Sequence, residues 1–362
     1  MMHILRRWYD RHFSDPQVVI LAFLLTLGFA VVIFAGRLLA PLLASVVFAY
    51  LLEGAVRHLQ MWRIPRMVAV ILVFLVFLAL LVVTLLLVVP VLGQQITQLV
   101  EELPNMVAHG QNLLLQLPER YPQIVSEEQV REIMGAIRAQ SIALGQQVVN
   151  LTLASAMHIA TIMVYLVIVP LMVFFLLKDR DAILGWITGF LPRDRGLANE
   201  VWEEVNLKIA SYVRGKFIEI LIVWAASYLT FIFLDLNYAL LLSFMVGISV
   251  IIPYVGAAVV TLPVAMVAYF QWGMGNEFTY VLVAYAIIQF LDGNVLVPLL
   301  FSEVVNLHPV AIIAAVILFG GLWGLWGVFF AIPLATLIQA VIRSWPRYGD
   351  DDRSREEGTG QP

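Results

Sequence analysis

The chain has 362 residues and no cysteine; 62% of its residues are hydrophobic, 13% are charged, and the formal net charge is −4. An ordinary soluble protein is about one-quarter charged, so this composition excludes a string of water-soluble domains and points to a chain threaded repeatedly through lipid. The lack of cysteine excludes disulfides, thiolate ligands and a cysteine nucleophile.

Arg6, Arg7 and Arg11 precede the first apolar run, over residues 18–35. That run is too long for a signal-peptide core and is followed by Gly36 and Arg37 instead of a small-residue cleavage site, so it is predicted to be the first transmembrane helix. Basic residues favour the cytoplasmic side, which places the N-terminus (1–17) inside. Residues 38–55 return, and Arg57, Arg63 and Arg66 form a cytoplasmic loop. An apolar stretch from Arg66 to Leu92 then crosses and projects outward, so that three helices occupy 18–92. Residues 93–150 are predicted to be an external, periplasmic helical insertion. Its apolar positions, among them Ile96, Leu99, Val100, Leu103 and Val107, then Val130, Ile133, Met134 and Ile137, recur at helical spacing. That pattern suits a packed helical hairpin or a contact between copies of the chain better than a substrate-gathering vestibule.

A fourth helix is predicted over 151–177. Residues 178–212 mix basic and acidic side chains, and Val201, Trp202, Val205, Ile209 and Tyr212 make one apolar stripe, as expected of a cytoplasmic amphipathic helix lying along the membrane surface. The C-terminal membrane region, 213–345, contains no lysine or arginine from Phe217 to Ile342. With Lys216 and Arg343 both inside, this stretch crosses an even number of times. Four crossings with broken helices or re-entrant hairpins fit its apolar segments, giving an all-α protein with about eight transmembrane segments. The polar tail, 346–362, is predicted to be disordered and cytoplasmic.

Lipid offers no hydrogen bonds, so an interrupted helix at membrane depth must be buried in protein or line a wet cavity. One interruption is expected around Pro253 and Gly256, and a second from Asp292 through Asn294 and Pro298 to His308 and Pro309. Paired interruptions of this kind are the best sequence-level pointer to a transporter's substrate path. Lys216 and Glu219 are three apart on one helical face, near enough to pair as a membrane-edge salt bridge or, with Tyr212, to gate cations or protons. Gln289 and Asp292 also share a face, and an acid in apolar sequence is a functional candidate by default. Asp235 and Glu277 read as turn and cap residues, whereas Glu303, Asn306 and His308 form a polar cluster in which an imidazole could couple to protons. Gly320 and Gly324, four apart, and Gly327 allow close helix approach. The chain lacks a P-loop, an HExxH pair, a GxSxG elbow and basic-aromatic nucleic-acid patches, so neither an enzyme, a cofactor nor a nucleic-acid partner is expected.

At YVRGKFIE, at IIPYVG, and above all at DGNVLVPLLFSEVVNLHPVAIIAAVILFGGLWGLWGVFFAIPLA, the chain resembles the autoinducer-2 exporter family of PerM-like permeases. The likeness extends from about residue 10 to residue 345. The family's motif positions fall here on Tyr212, Gly215, Lys216 and Glu219, on Pro253 and Gly256, on Asp292, Asn294, Pro298, His308 and Pro309, and on Gly320, Gly324, Gly327 and Pro333. The resemblance implies an eight-helix type of topology, a homo-oligomer in the bacterial inner membrane, and transport without ATP. It also implies a cargo that is either the quorum signal autoinducer-2 or, through antiport with protons, sodium or lithium.

The reading that results is a secondary transporter exporting a small polar metabolite such as autoinducer-2. Gln289, Asp292, Asn294, Pro253, Gly256, Pro298 and His308 would lie on the pathway, while Tyr212, Lys216 and Glu219 gate its cytoplasmic side. Its partners would be a small-molecule or monovalent-cation substrate, membrane lipid and further copies of the chain. Sodium or lithium/proton antiport is the close alternative, and a non-transporting membrane scaffold is the alternative of another class.

Overall fold

The computed structural model describes residues 39–120, 162–190, 196–253, 255–301 and 307–344, with isolated positions at 23, 26–28, 30 and 135. Most of the predicted first helix, most of the insertion beyond residue 120, the tail, and Glu303 and Asn306 lie outside the described residues. Within them every regular element is helical. In chain order these are α1 (Ala40–Met61), α2 (Arg66–Val83), α3 (Val89–Arg120), α4 (Ile162–Lys178), α5 (Arg180–Gly189), α6 (Gly196–Phe233), α7 (Ala239–Ser249), α8 (Val255–Trp272), α9 (Asn276–Leu291), α10 (Val297–Phe301), α11 (Pro309–Trp323) and α12 (Leu325–Ser344).

Among the described residues, five stretches are long and apolar enough to cross a membrane, or six if α4 and α5, which meet at 82°, count as one span. Only 11–28% of the most apolar windows of the five is buried, the inverse of a soluble core, so the faces left open are those that meet lipid or another chain. Two apolar clusters organise the rest. One joins α1, α2 and α4 through Val56, Val70, Phe77, Val173 and Leu177. The other joins α6, α7, α8 and α9 through Val223, Phe231, Leu242, Val246, Val264 and Tyr285. Tyr50 on α1 links the two halves by donating its hydroxyl to Asn206 Oδ1 on α6 at 2.6 Å.

Three boundaries differ from the sequence expectation. The insertion does not start at a break: α2 runs through a π-helical turn (Thr84–Val88) directly into α3. The described span of 45 residues from Arg66 to Gly110 is roughly 68 Å long at 1.5 Å per residue, about twice the hydrocarbon thickness. Nor do the amphipathic segment and the membrane region part at residue 212. They form one 38-residue helix, α6, because the apolar stripe finds a protein partner: Val201, Val205 and Ile209 pack on Leu337, Ala340 and Val341 of α12, and only Trp202 of that stripe is exposed. Finally, Pro298 does not stop its helix. A second π turn (Asp292–Leu296) carries α9 into α10, with the Val297 amide donating to the Asp292 carbonyl.

The last two helices form an antiparallel hairpin closed by a single residue, Gly324, at φ 60° and ψ −135°, a conformation open in practice to glycine alone. Helix α11 has 15 residues, about 22 Å, too short for a core of about 30 Å, so the hairpin has re-entrant dimensions. Its helices touch through glycine: a Cβ on Gly320 would come 2.8 Å from Val328 Cγ2, and one on Gly327 would overlap the Phe319 carbonyl oxygen. Of the three glycines expected to allow close helix approach, Gly320 and Gly327 lie at the contact, whereas Gly324 turns the chain and a Cβ on it would meet nothing within 4 Å.

Gly324→Ala and Gly327→Ala should each lower stability by about 1–3 kcal/mol, one through backbone strain and the other through overpacking. Gly321→Ala, whose added carbon would meet nothing within 4 Å, should stay within about 0.5 kcal/mol. Detergent-solubilised unfolding curves of the three variants check this.

Candidate functional site

The buried side of α6 repeats at three and four residues: Tyr212, Lys216, Glu219, Val223, Ser227 and Phe231 are all at most 3% exposed. Polar groups therefore interrupt an otherwise apolar stripe in the middle of the chain's longest described helix. Lys216 Nζ lies 2.6 Å from Glu219 Oε2 and donates to the Val250 carbonyl at 3.0 Å. Its ammonium also stands 5.2 Å from the centre of the Phe301 ring, within cation–π range. Taking such a pair out of water costs several kcal/mol per ion, and these three contacts offset it.

Two of these contacts depend on a helix break or a glycine. Val250 lies just past the C-terminus of α7, where a turn through residues 250–253 separates α7 from α8. The carbonyls released by that break carry the negative end of the helix dipole, and Lys216 sits on one of them. Gly256 makes the turn possible, because a Cβ there would overlap the Ser249 carbonyl oxygen. Pro253 lies in the turn itself. Phe301 closes α10, reaches Lys216 because Gly215 has no side chain to obstruct it (a Cβ there would lie 2.8 Å from the ring), and packs against Tyr212 at 5.7 Å between centroids. Phe329 of the α11–α12 hairpin flanks Tyr212 at 6.0 Å, and Ile312 and Ile332 complete the same apolar cluster. Hairpin, broken helix and α10 thus converge on one turn of α6.

Asp292 opens the π turn beside this cluster and lies within electrostatic reach of both Lys216 and Glu219. Its Oδ1 is buried and has no hydrogen-bond partner among the described residues; the same holds for Gln289 Nε2 one turn earlier. Tyr212 Oη, Trp224 Nε1 and Ser227 Oγ on α6 are likewise buried without partners, and Glu219 Oε2, although in ion-pair contact, accepts no aligned hydrogen bond. Orphaned buried polar atoms are rare in folded proteins. Here all but Trp323 Nε1, on α11, gather on α6 and on α9 with the π turn that follows it.

Other predicted site residues are placed differently. Asn294 is exposed and donates through Nδ2 to the Phe290 carbonyl at 2.9 Å. Pro298 is exposed two residues past that turn. His308 caps α11, its Nδ1 accepting from the Val310 amide at 3.2 Å, so the imidazole stabilises a helix start and stands apart from the buried cluster. Asp235 and Tyr238 adopt positive φ in the turn between α6 and α7, fastened by Gln271 to the Asp235 carbonyl and the Asn237 amide. Sequence reading missed Phe301, Trp224 and Ser227. Ser227 was visible in principle, eight residues from Glu219 on the same helical face, whereas nothing local marks Phe301 as a ligand of Lys216.

Residues 20–347 match the family described as AI-2E family transporter, and the chain belongs to it. It is 48% identical over 346 residues to PerM of Escherichia coli (strain K12), whose name describes it as a permease, covering 96% of this chain and 98% of that one. Similarity extends to YueF of Bacillus subtilis (strain 168), named as a transport protein, at 26% over 85% and 84% of the two chains. It reaches TqsA of Escherichia coli (strain K12), named an AI-2 transport protein, at 23% over 90% and 91%. The protein is a multi-pass membrane protein of a transporter family.

If the ion pair is held by mutual neutralisation, Lys216→Met or Glu219→Leu alone should cost about 3–5 kcal/mol, while the double variant recovers most of that loss. Lys216→Met is the harsher of the two, since it leaves two carboxylates facing each other. A double-variant cycle of unfolding free energies measures it.

Proposed function

We propose that the chain is a secondary transporter that exports a small polar metabolite of the autoinducer-2 class across the bacterial inner membrane, with both termini in the cytoplasm. The observation that carries this reading is the pair of orphaned groups on α9: an acceptor, Asp292 Oδ1, and a donor, Gln289 Nε2, one helical turn apart in an apolar span. A solute bearing hydroxyl groups offers both complements, and an empty buried donor and acceptor cost free energy until something fills them. The break at Pro253 and Gly256 lies within reach through Lys216, as a path lined by interrupted backbone requires. The name of the relative TqsA supports the choice of cargo, and the sparsely buried spans support assembly with further copies of the chain.

In this mechanism Lys216, Glu219 and Tyr212 form the cytoplasmic gate. The ion pair closes the route while its partners on α7 and α10 are in place, and it opens when those elements shift and let water solvate the ammonium. A second reading has its own support. Lys216, Glu219 and Asp292, all ionised, sum to one negative charge, which an apolar site tolerates only with a compensating cation. A proton or a sodium or lithium ion at Asp292 would supply it, making the site a cation/proton exchanger or coupling export to a cation gradient.

Asp292→Asn keeps shape and removes the charge. In proteoliposomes it should abolish the pH dependence of flux and reduce transport by at least tenfold, measured across autoinducer-2, sodium and lithium gradients. Unaltered, still pH-dependent flux would count against Asp292 in both readings.

A further inference from the structure

Where α1, α2 and α4 meet there is a second charged cluster, on which the transport reading makes no demand. The Glu53 carboxylate, 9% exposed, faces three guanidiniums. Arg180 Nη1 lies 3.2 Å from Oε1, and Arg66 Nη1 and Arg57 Nε each lie 3.4 Å from it. Arg66 Nη2 is 3.4 Å from Oε2 and donates to the Leu177 carbonyl at 3.0 Å. Charge-assisted bonds of this type usually close to about 2.7–2.9 Å. None does here, because one carboxylate cannot draw three guanidiniums in together. Among the described residues, three positive charges face one negative, which leaves two without a carboxylate of their own. Lys178 and Asp179, 3.9 Å apart, cancel each other. The side chains of Arg57, Arg66 and Arg180 are 58%, 29% and 32% exposed, so each keeps N–H donors turned outward.

The cluster's place in the fold indicates what those donors meet. Arg66 opens the most apolar span of the protein, and Leu177 and Lys178 end another apolar helix. Beyond them α5 turns through 82° and leaves Trp186, Ile187 and Phe190 exposed; Met61 and Trp62, at the end of α1, are exposed as well. Exposed tryptophans beside basic residues mark the headgroup layer, and a short helix that turns off a span with an apolar face is built to lie in it. Below the cluster, Ile71 and Leu75 of α2 and Leu171 and Phe175 of α4 present open apolar surface, where acyl chains attached to a headgroup would run.

We propose that Arg57, Arg66 and Arg180 bind the phosphate of an anionic phospholipid, with Glu53 holding the three guanidiniums in a fork. The lipid phosphate is the missing counterion. The apolar surface directly beneath makes the occupant a lipid and not a free phosphate ion, and the excess of positive charge selects an anionic headgroup over a zwitterionic one.

Purified full-length protein in detergent micelles, titrated separately with phosphatidylglycerol, phosphatidylcholine and inorganic phosphate, tests this through the thermal unfolding midpoint and the lipid retained in native mass spectra. Phosphatidylglycerol alone should raise the midpoint and remain bound. Arg57→Gln and Arg180→Gln should each weaken the phosphatidylglycerol titration about fivefold, the worth of one arginine beside an anionic lipid, with the midpoint in phosphatidylcholine unchanged. Should Arg180→Gln lower that baseline, Arg57→Gln decides alone, since Arg57 is the most exposed of the three and contacts Glu53 one helical turn away on α1. An equal response to phosphatidylcholine overturns the proposal. So does an equal shift with inorganic phosphate, or variants that titrate like the wild type.

Discussion

An ammonium buried 97% of the way out of solvent must be neutralised where it stands, and the C-terminal half of this protein is arranged around that requirement at Lys216. Glu219 supplies the charge, the released Val250 carbonyl a dipole, and Phe301 a ring face. Glu219 lies on α6 itself, but neither the carbonyl nor the ring is available from an unbroken bundle of apolar helices. A carbonyl becomes free only where α7 stops, and an aromatic ring comes close only where Gly215 leaves room for it. The breaks and glycines are thus the conditions under which a charge can be held in the middle of an apolar span.

Proline shapes the spans in a second way. Both π-helical turns end two residues before a proline: Thr84–Val88 before Pro90, and Asp292–Leu296 before Pro298. A proline cannot donate to the carbonyl four residues earlier, and its ring pushes that carbonyl away. Widening the preceding turn to bonds five residues apart, as from Val89 to Thr84 and from Val297 to Asp292, absorbs the defect without ending the helix. At the second site the widened turn begins at Asp292 and so sets the position of the carboxylate. Asn294 then returns a side-chain donor to the Phe290 carbonyl.

Charge distribution and apolar run length made the membrane class and the all-helical fold legible in the sequence, because both follow from the cost of placing polar groups in hydrocarbon; the family was legible from the motifs around Lys216, Pro253 and Asp292. The pairing of Lys216 with Glu219 was legible from spacing alone. What was not legible depended on partners distant in sequence. The stripe of Val201, Val205 and Ile209 suits a lipid surface or a protein surface equally, and only the presence of α12 decides for protein. A proline in an apolar run signals a defect, but whether the defect is a stop or a bulge depends on the packing beyond it, here Phe301 against Gly215. His308 has the chemistry of a proton carrier, yet the chain begins a helix there and uses its ring as a cap.

The same contacts indicate where the protein can change shape cheaply. Helix α6 is continuous for 38 residues, and bending it means breaking its own hydrogen bonds. Helix α7 ends in a turn of a few residues, and α11 joins α12 through one glycine; these junctions can rotate with little loss of backbone bonding. Of the groups that hold Lys216, Glu219 moves with α6, whereas Val250 and Phe301 belong to elements on the far side of such junctions. A shift of either element removes a dipole or a ring from the ammonium and leaves the ion pair in a place where water, or a cation drawn to Asp292, lowers the energy. The interactions that stabilise the closed arrangement are therefore divided between a rigid helix and two hinged ones, and that division is what a gate held by a buried charge needs.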